Sequence, residues 1–221
     1  MSTPATDRIL TAASENGSVL PSVPLRDIVS ALDAELRTRD IPDYPGAVNG
    51  LQVANPGTVH RVAVAVDASR AAIAEAVVSG ADLLIVHHGL FWSGVQPLVG
   101  IPYEKFRSIL GSGLAVYASH LPLDLHAEHG NNVRLAQALG LTPDGGFARF
   151  KTVDIGVTGT ANEPTDDVVH RVQAFSARYG GSVRTSIPAQ GRRTHRWAIC
   201  TGGGASSETL REARDRGVDT L

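Results

Sequence analysis

With 221 residues, 43% of them apolar, and a formal net charge of −2, the chain has the composition of a globular protein of one large or two small domains. That charge balance argues against the basic face of a general nucleic-acid binder, and no stretch is apolar for long enough to span a membrane. A single cysteine, Cys200, excludes an internal disulfide and points to a cytoplasmic setting.

Residues 1–22, rich in Ser, Thr and Ala, read as a mobile N-terminal tail. Apolar Ile28, Val29, Leu32 and Leu36 then recur at helical spacing behind Ser22 and Pro24. The turn-rich run Pro42-Asp43-Tyr44-Pro45-Gly46 leads to Asn49-Gly50-Leu51-Gln52-Val53, where amides flank a glycine that lets backbone approach closely. An apolar strand is expected over 61–66, with Ser69 capping a helix over 70–79 and Gly80 ending it. The run Leu83-Leu84-Ile85-Val86 reads as a strand buried on both faces, which makes a βαβ unit with a parallel pair. His87 and His88 stand at its carboxyl end, where open α/β sheets bind their ligands.

A helix over 102–110 and a strand over 114–119 follow, and His120-Leu121-Pro122-Leu123-Asp124 again sits at a strand's carboxyl end. Gly130-Asn131-Asn132 opens a helix that Gly140 closes. The first α/β half, residues 23–142, thus carries the polar motifs, and a second half, residues 143–221, begins near Pro143. There a strand is expected over 151–160, a helix from Thr165 to the Gly180-Gly181 pair, a polar loop over 188–194, a strand over 196–201 and a helix over 206–216. Gly217-Val218-Asp219 matches Gly80-Ala81-Asp82 in role, so Leu221 corresponds to Leu84. On that register the chain stops inside a strand, as a shortened product would.

Five of the eight histidines, His87, His88, His120, His126 and His129, fall in one part of the chain, a grouping that favours a metal site. Successive side chains on a strand alternate faces, so His87 and His88 suit two neighbouring ions better than one. Asp124 is a candidate oxygen ligand, and His120, four residues before it, a candidate proton-transfer group or a partner that orients a ligand. A histidine bonded only to backbone is the competing reading for each. Asp67 either faces the same cleft or caps the next helix. His126 and His129 read as loop residues, and His60, His170 and His195 as surface ones. Gly202-Gly203-Gly204 is read as a tight turn rather than a phosphate cradle, and Cys200 as a small buried hydrophobe.

Together, Asn49 to Val53, His87-His88-Gly89-Leu90-Phe91-Trp92, His120 to Asp124 with Gly130-Asn131-Asn132, and Thr201-Gly202-Gly203-Gly204 resemble the Nif-three-like family, the GTP cyclohydrolase 1 type 2 homologues. The resemblance implies an α/β fold of two related halves, with parallel or mixed sheets covered by helices. It also implies a toroidal homohexamer and two divalent metal ions per subunit (Zn, Mn, Fe, Co or Ni), with His87, His88 and Asp124 among the ligands. The family's remaining ligands lie in a C-terminal H-x-x-x-E motif, which would fall beyond Leu221. The implied function is a metal-dependent hydrolase acting on a nucleotide or related small molecule. The alternatives are a metal-binding assembly or regulatory protein that engages a macromolecule, or an inactive shortened member.

Overall fold

The computed structural model describes residues 21–186, 188, 190–204 and 206–221, with the backbone of Leu10 and Thr11. Most of the expected tail therefore lies outside the described residues. These divide into two units, one ending at Pro122 and the other beginning at Leu123. No helix among them is long and apolar enough to cross a membrane.

The first unit runs β1 (Leu10–Thr11), β2 (Val23–Pro24), α1 (Leu25–Glu35), β3 (Gly50–Val53), β4 (Thr58–Val59), β5 (Val62–Asp67), α2 (Arg70–Val78), β6 (Leu83–His88), α3 (Gly100–Ser112) and β7 (Ala115–Ala118). Its main sheet has the order β1-β5-β6-β7-β3, parallel through β5, β6 and β7 and antiparallel at both edges. The expected βαβ unit is present. Leu83, Leu84 and Val86 are buried on β6, as are all four residues of β7, which is why these strands read as continuous apolar runs. Ala63, Ile73, Leu84, Ile109, Leu114 and Val116 form the core between sheet and helices. Each larger aliphatic side chain buried this way contributes about 1.5–3 kcal/mol. The segment from Asn49 supplies an edge strand, in which Leu51 and Val53 pair with β7. Helix α1 is tied to β7 by the Tyr117 hydroxyl, which donates to Asp33 Oδ1 at 2.8 Å and lies 2.9 Å from Thr38 Oγ1. Burial raises the Tyr117 pKa well beyond its ordinary value, against the Thr38 contact and with Asp33, so the phenol keeps its proton.

A short helix, α4 (Leu121–Asp124), carries the chain into the second unit. There follow α5 (Asn131–Ala138), β8 (Gly145–Phe150), β9 (Val153–Pro164), α6 (Thr165–Arg178), β10 (Arg193–Ile199) and α7 (Ser207–Asp215). The three strands form an antiparallel sheet with β9 in the centre. Where one strand was expected over 151–160, the structure has a hairpin, turning at Lys151 and Thr152 with Lys151 at φ 50°. Lys-Thr carries none of the usual hairpin-turn signal, so the pattern alone conceals β8. Likewise β10 starts at Arg193, inside the segment read as a loop, and Thr194 is buried against Thr165 and Thr220. Ala136, Leu139 and Leu141, from α5 and its exit, pack with Trp197 of β10. Cys200 packs against a cluster of Phe147, Ala148, Ala198 and Ala213. Burial, then the charges of Asp124 and Glu212, push its thiol pKa up, which suits a packing residue and not a nucleophile.

One junction occurs in both units. In the first, Ser69 caps α2 by accepting from Ala72 N, Gly80 ends the turn at φ 68°, and Asp82 Oδ2 accepts from His60 N and Arg61 N at 2.7 and 2.9 Å. In the second, Ser206 caps α7 by accepting from Thr209 N, Gly217 has φ 66°, and Asp219 Oδ2 accepts from His195 N and Arg196 N at 3.0 and 3.1 Å. Thr220 then pairs in parallel with Trp197, as Leu83 does with Val62. The match read between Gly80-Ala81-Asp82 and Gly217-Val218-Asp219 therefore extends to individual hydrogen bonds.

Candidate metal centre

The β6–β7 ladder ends at Val86 opposite Ala118, and the β5–β6 ladder ends with Asp67 opposite His88. His87 and His88 thus stand at the carboxyl edge of the sheet, where side chains can lean over the ends of neighbouring strands. His87 leans toward β7, its Nδ1–H donating to the Ser119 carbonyl at 3.0 Å. His88 leans toward β5, its Nδ1–H donating to Asp67 Oδ1 at 2.6 Å. Strict alternation predicts diverging rings; here the ring centroids are 4.6 Å apart. The His120 ring lies 4.8 Å from that of His87 and 5.5 Å from that of His88. One ligand atom from each of the three residues falls within 4.8 Å of the others, a grouping that could hold a metal ion.

His120 Nδ1–H donates to Asp43 Oδ1 at 2.9 Å, and both side chains are nearly buried. Asp43 also accepts from Tyr44 N, Asn49 Nδ2 and Leu121 N at 2.7, 2.8 and 2.9 Å, while Asn49 Oδ1 accepts from His120 N at 2.8 Å. Burial pushes the Asp43 pKa up, but the hydrogen bonds from His120, Asn49, Leu121 and Tyr44 outweigh it and hold the carboxyl below its ordinary value. In all three histidines Nδ1 faces an oxygen acceptor, so the neutral imidazole carries its proton there. That leaves the lone pair on Nε2, the form in which imidazole ligates metals.

Gln52 fixes the loop that follows His88. Its Oε1 accepts from Leu90 N at 2.7 Å, and its Nε2 donates to the Ala47 and Val48 carbonyls. A Cβ at Gly89 would strike the Gln52 carboxamide, so glycine is required by close approach. Trp92 lies over the cluster, its ring 4.6 Å from His120, 5.2 Å from His88 and 6.1 Å from Tyr44. Beside it a cavity of about 300 Å³ is bounded by Asp67, Ser69, His88, Leu90, Trp92 and Lys105. Burial lowers the Lys105 pKa, against the pull of the Asp67 carboxylate.

Of the residues picked from sequence, His87, His88 and His120 come together. Asp67 faces this cleft, and Ser69, not Asp67, caps α2. Asp124 ends α4 and belongs to the second unit, where Asn131 Nδ2 donates to its Oδ1 at 2.6 Å. His126 and His129 stack on one another 4.8 Å apart in the segment before α5. His60, His170 and His195 are exposed. The turn at Gly202 takes φ 72° and leads to the Ser206 cap. Asp43, Lys105 and Trp92 were not singled out for the site. Asp43 sits in a run whose letters spell only a turn, and Lys105 is marked solely by the rarity of lysine in this chain.

The fold is a mixed α/β one, and the ring cluster makes its first unit a candidate metal centre. The chain belongs to the Duf34/NIF3 (NGG1p interacting factor 3) family, whose model matches residues 23–221. It is 39% identical over 201 residues to the GTP cyclohydrolase 1 type 2 homolog of Halobacterium salinarum, a match covering 88% of this chain and 76% of that one. With the homolog of Treponema pallidum it shares 42% over 165 residues, 74% of this chain and only 55% of the relative. The chain therefore spans little more than half of the Treponema protein. The solved structure of protein ybgI, of unknown function, matches with a TM-score of 0.72 at 31% identity, covering 89% of this chain and 84% of that one. Reduced HcgD from Methanocaldococcus jannaschii shares the fold, with a TM-score of 0.69 at 18% identity over 90% of this chain and 77% of its own.

Proposed function

We propose that the first unit holds a divalent metal ion on His87, His88 and His120, and that the chain acts as a metal-dependent hydrolase on a nucleotide or related small molecule. The observation that carries the reading is the convergence of three imidazoles whose Nδ1–H groups are all given to oxygen acceptors. Such acceptors fix the tautomer and ring orientation and raise ligand basicity. His120 is assigned as a third nitrogen ligand in place of the proton-transfer role its sequence position implies, because Asp43 holds it as Asp67 holds His88. Asp124 is assigned as an oxygen donor, serving the second ion that the family resemblance implies. Imidazole with carboxylate suits Zn, Mn, Fe, Co and Ni alike.

When bound, such an ion supplies Lewis acidity and lowers the pKa of water. The chain's own residues bind and orient. Asp43 and Asp67 hold the rings, Gln52 and Gly89 set the loop that follows them, and Trp92 packs against the His88 and His120 rings. The family resemblance further supports a cytoplasmic homo-oligomer, a toroidal hexamer, built of two related halves, and the repeated strand–helix junction is in keeping with the halves. Sedimentation equilibrium of the purified chain tests the assembly.

The test of function counts metal per purified chain in the wild type, a His87→Ala, His88→Ala double variant and His120→Ala, with GTP turnover measured in parallel. About one or two ions per chain, lost in the double variant together with turnover, support the proposal. A His120→Ala protein that keeps its metal and loses turnover returns His120 to proton transfer. A wild type that takes up no metal when supplied with it overturns the site.

A further inference from the structure

We propose that the cavity beside His88 is an anion subsite, in which the Lys105 ammonium takes the phosphoryl group of a ligand whose planar ring lies against Trp92. The inference rests on the reading of the first unit as a metal site directed at nucleotides, and it names the part of that site that holds the non-reacting end of the ligand.

The cavity's 300 Å³ is far more than an ion and its water ligand occupy, since a water's share of liquid volume is about 30 Å³. Its polar lining is mostly committed. Asp67 Oδ1 receives the His88 Nδ1–H, and Ser69 Oγ accepts from Ala72 N. Lys105 is different. It projects from α3 as one of only two lysines in the chain, half-buried, with the Asp67 carboxylate acting on it from beyond hydrogen-bonding distance. Among the described residues no ion pair or hydrogen bond satisfies its ammonium. A cation withdrawn from water without a partner is unfavourable, and an incoming anion offsets that cost.

Lysine meets phosphate as a compact point charge, which needs no fixed geometry from a flexible four-carbon stem. Lys105 also screens an incoming phosphoryl group from the negative Asp67. Trp92 supplies the apolar wall. It lines the cavity and keeps 41% of its surface exposed even though Tyr44, His88 and His120 pack against it, which leaves indole surface for a further ring. Stacking on such a face favours planar, ring-bearing ligands whatever their hydrogen-bonding edge.

Calorimetric titration of the full chain with 5′-GMP, guanosine and inorganic phosphate tests the subsite, using wild type, Lys105→Ala, Lys105→Arg and Trp92→Ala. The wild type is expected to bind 5′-GMP at least about tenfold more tightly than guanosine, the size of one charge-assisted contact. Lys105→Ala should remove most of that ratio and leave guanosine unchanged; Lys105→Arg should restore it. Trp92→Ala should weaken 5′-GMP and guanosine alike. A ratio of about one in the wild type, or a ratio that survives Lys105→Ala, overturns the proposal. Inorganic phosphate binding as tightly as 5′-GMP overturns the ring-bearing ligand. Metal counts on the same preparations keep the two readings apart: discrimination without metal sinks the metal site and keeps the subsite, and metal without discrimination does the reverse.

Discussion

Asp43→Asn changes one atom of the carboxylate that holds His120, and the consequence can be worked through. Oδ1 accepts from Tyr44 N and His120 Nδ1, and Oδ2 from Asn49 Nδ2 and Leu121 N. An amide in either orientation turns its NH₂ toward two donors. If it faces Asn49 and Leu121, two hydrogen bonds to a charged acceptor are lost, at about 1.5–3 kcal/mol each, partly offset because no charge is then buried. If it faces His120, the imidazole can accept only by moving its proton to Nε2, which removes the lone pair proposed to bind metal. The expected outcome is a fall of about 2–3 kcal/mol in unfolding free energy, against a total of about 5–15 kcal/mol. Metal affinity should fall about 10–100-fold. Urea unfolding of the metal-free protein by circular dichroism measures the first, and competitive titration against a chelator the second. A variant with wild-type stability and metal affinity within about threefold would refute the reasoning, because that dyad would then orient nothing.

Three further outcomes are expected. Gly89→Ala should destabilise the first unit by about 1–3 kcal/mol by displacing the Gln52 carboxamide, and by clearly less in a Gln52→Ala background; additive losses in a double-mutant cycle would show that the two do not meet. Asp82→Ala and Asp219→Ala each strip the acceptor from two backbone N–H groups, and each should cost about 1–2 kcal/mol in urea unfolding; a cost at one junction only would mean that the repeat is geometric without being energetic. Glu163 accepts both arms of the Arg171 fork at 2.7 Å, and those hydrogen bonds, against partial desolvation, hold its carboxyl below the ordinary value of 4.5. Its contribution is present above that value and lost as pH falls through the lower folded one. The Tm gap between wild type and Glu163→Gln should therefore be widest near neutrality and close below pH 4.5; a gap that persists in acid would assign the loss to packing.

The parts of the fold legible in the sequence are those made by neighbours in the chain. Ser69, Gly80 and the run from Leu83 to Val86 announce a capped helix, its end and a buried strand within a couple of dozen residues, and the structure has all three. The β8–β9 hairpin was hidden because its turn uses Lys151 and Thr152. The His87–His88 pair was found by position, but alternation misjudged the rings: the β6–β7 ladder stops at Val86 and the β5–β6 ladder ends at His88 itself, so at this edge both side chains can lean over the strand ends. The partners of His120 were not legible. Asp43 and Asn49 reach it across more than seventy residues, and in sequence they look like a turn followed by an amide-bearing segment.

That difference in range bears on the order of folding. The capped strand–helix junctions close over short loops and can form early, whereas the dyad and its companions need segments 71 to 78 residues apart to meet. Contacts of long sequence separation carry the larger closure entropy and tend to form late. His120, the third member of the cluster, is therefore oriented only after the edge strand β3 and the loop before it have docked on β7. A collapsed chain with every helix in place but that edge undocked has the same imidazoles without the carboxylate that aims His120, so tight metal uptake during refolding would time the last step of assembly and not the first.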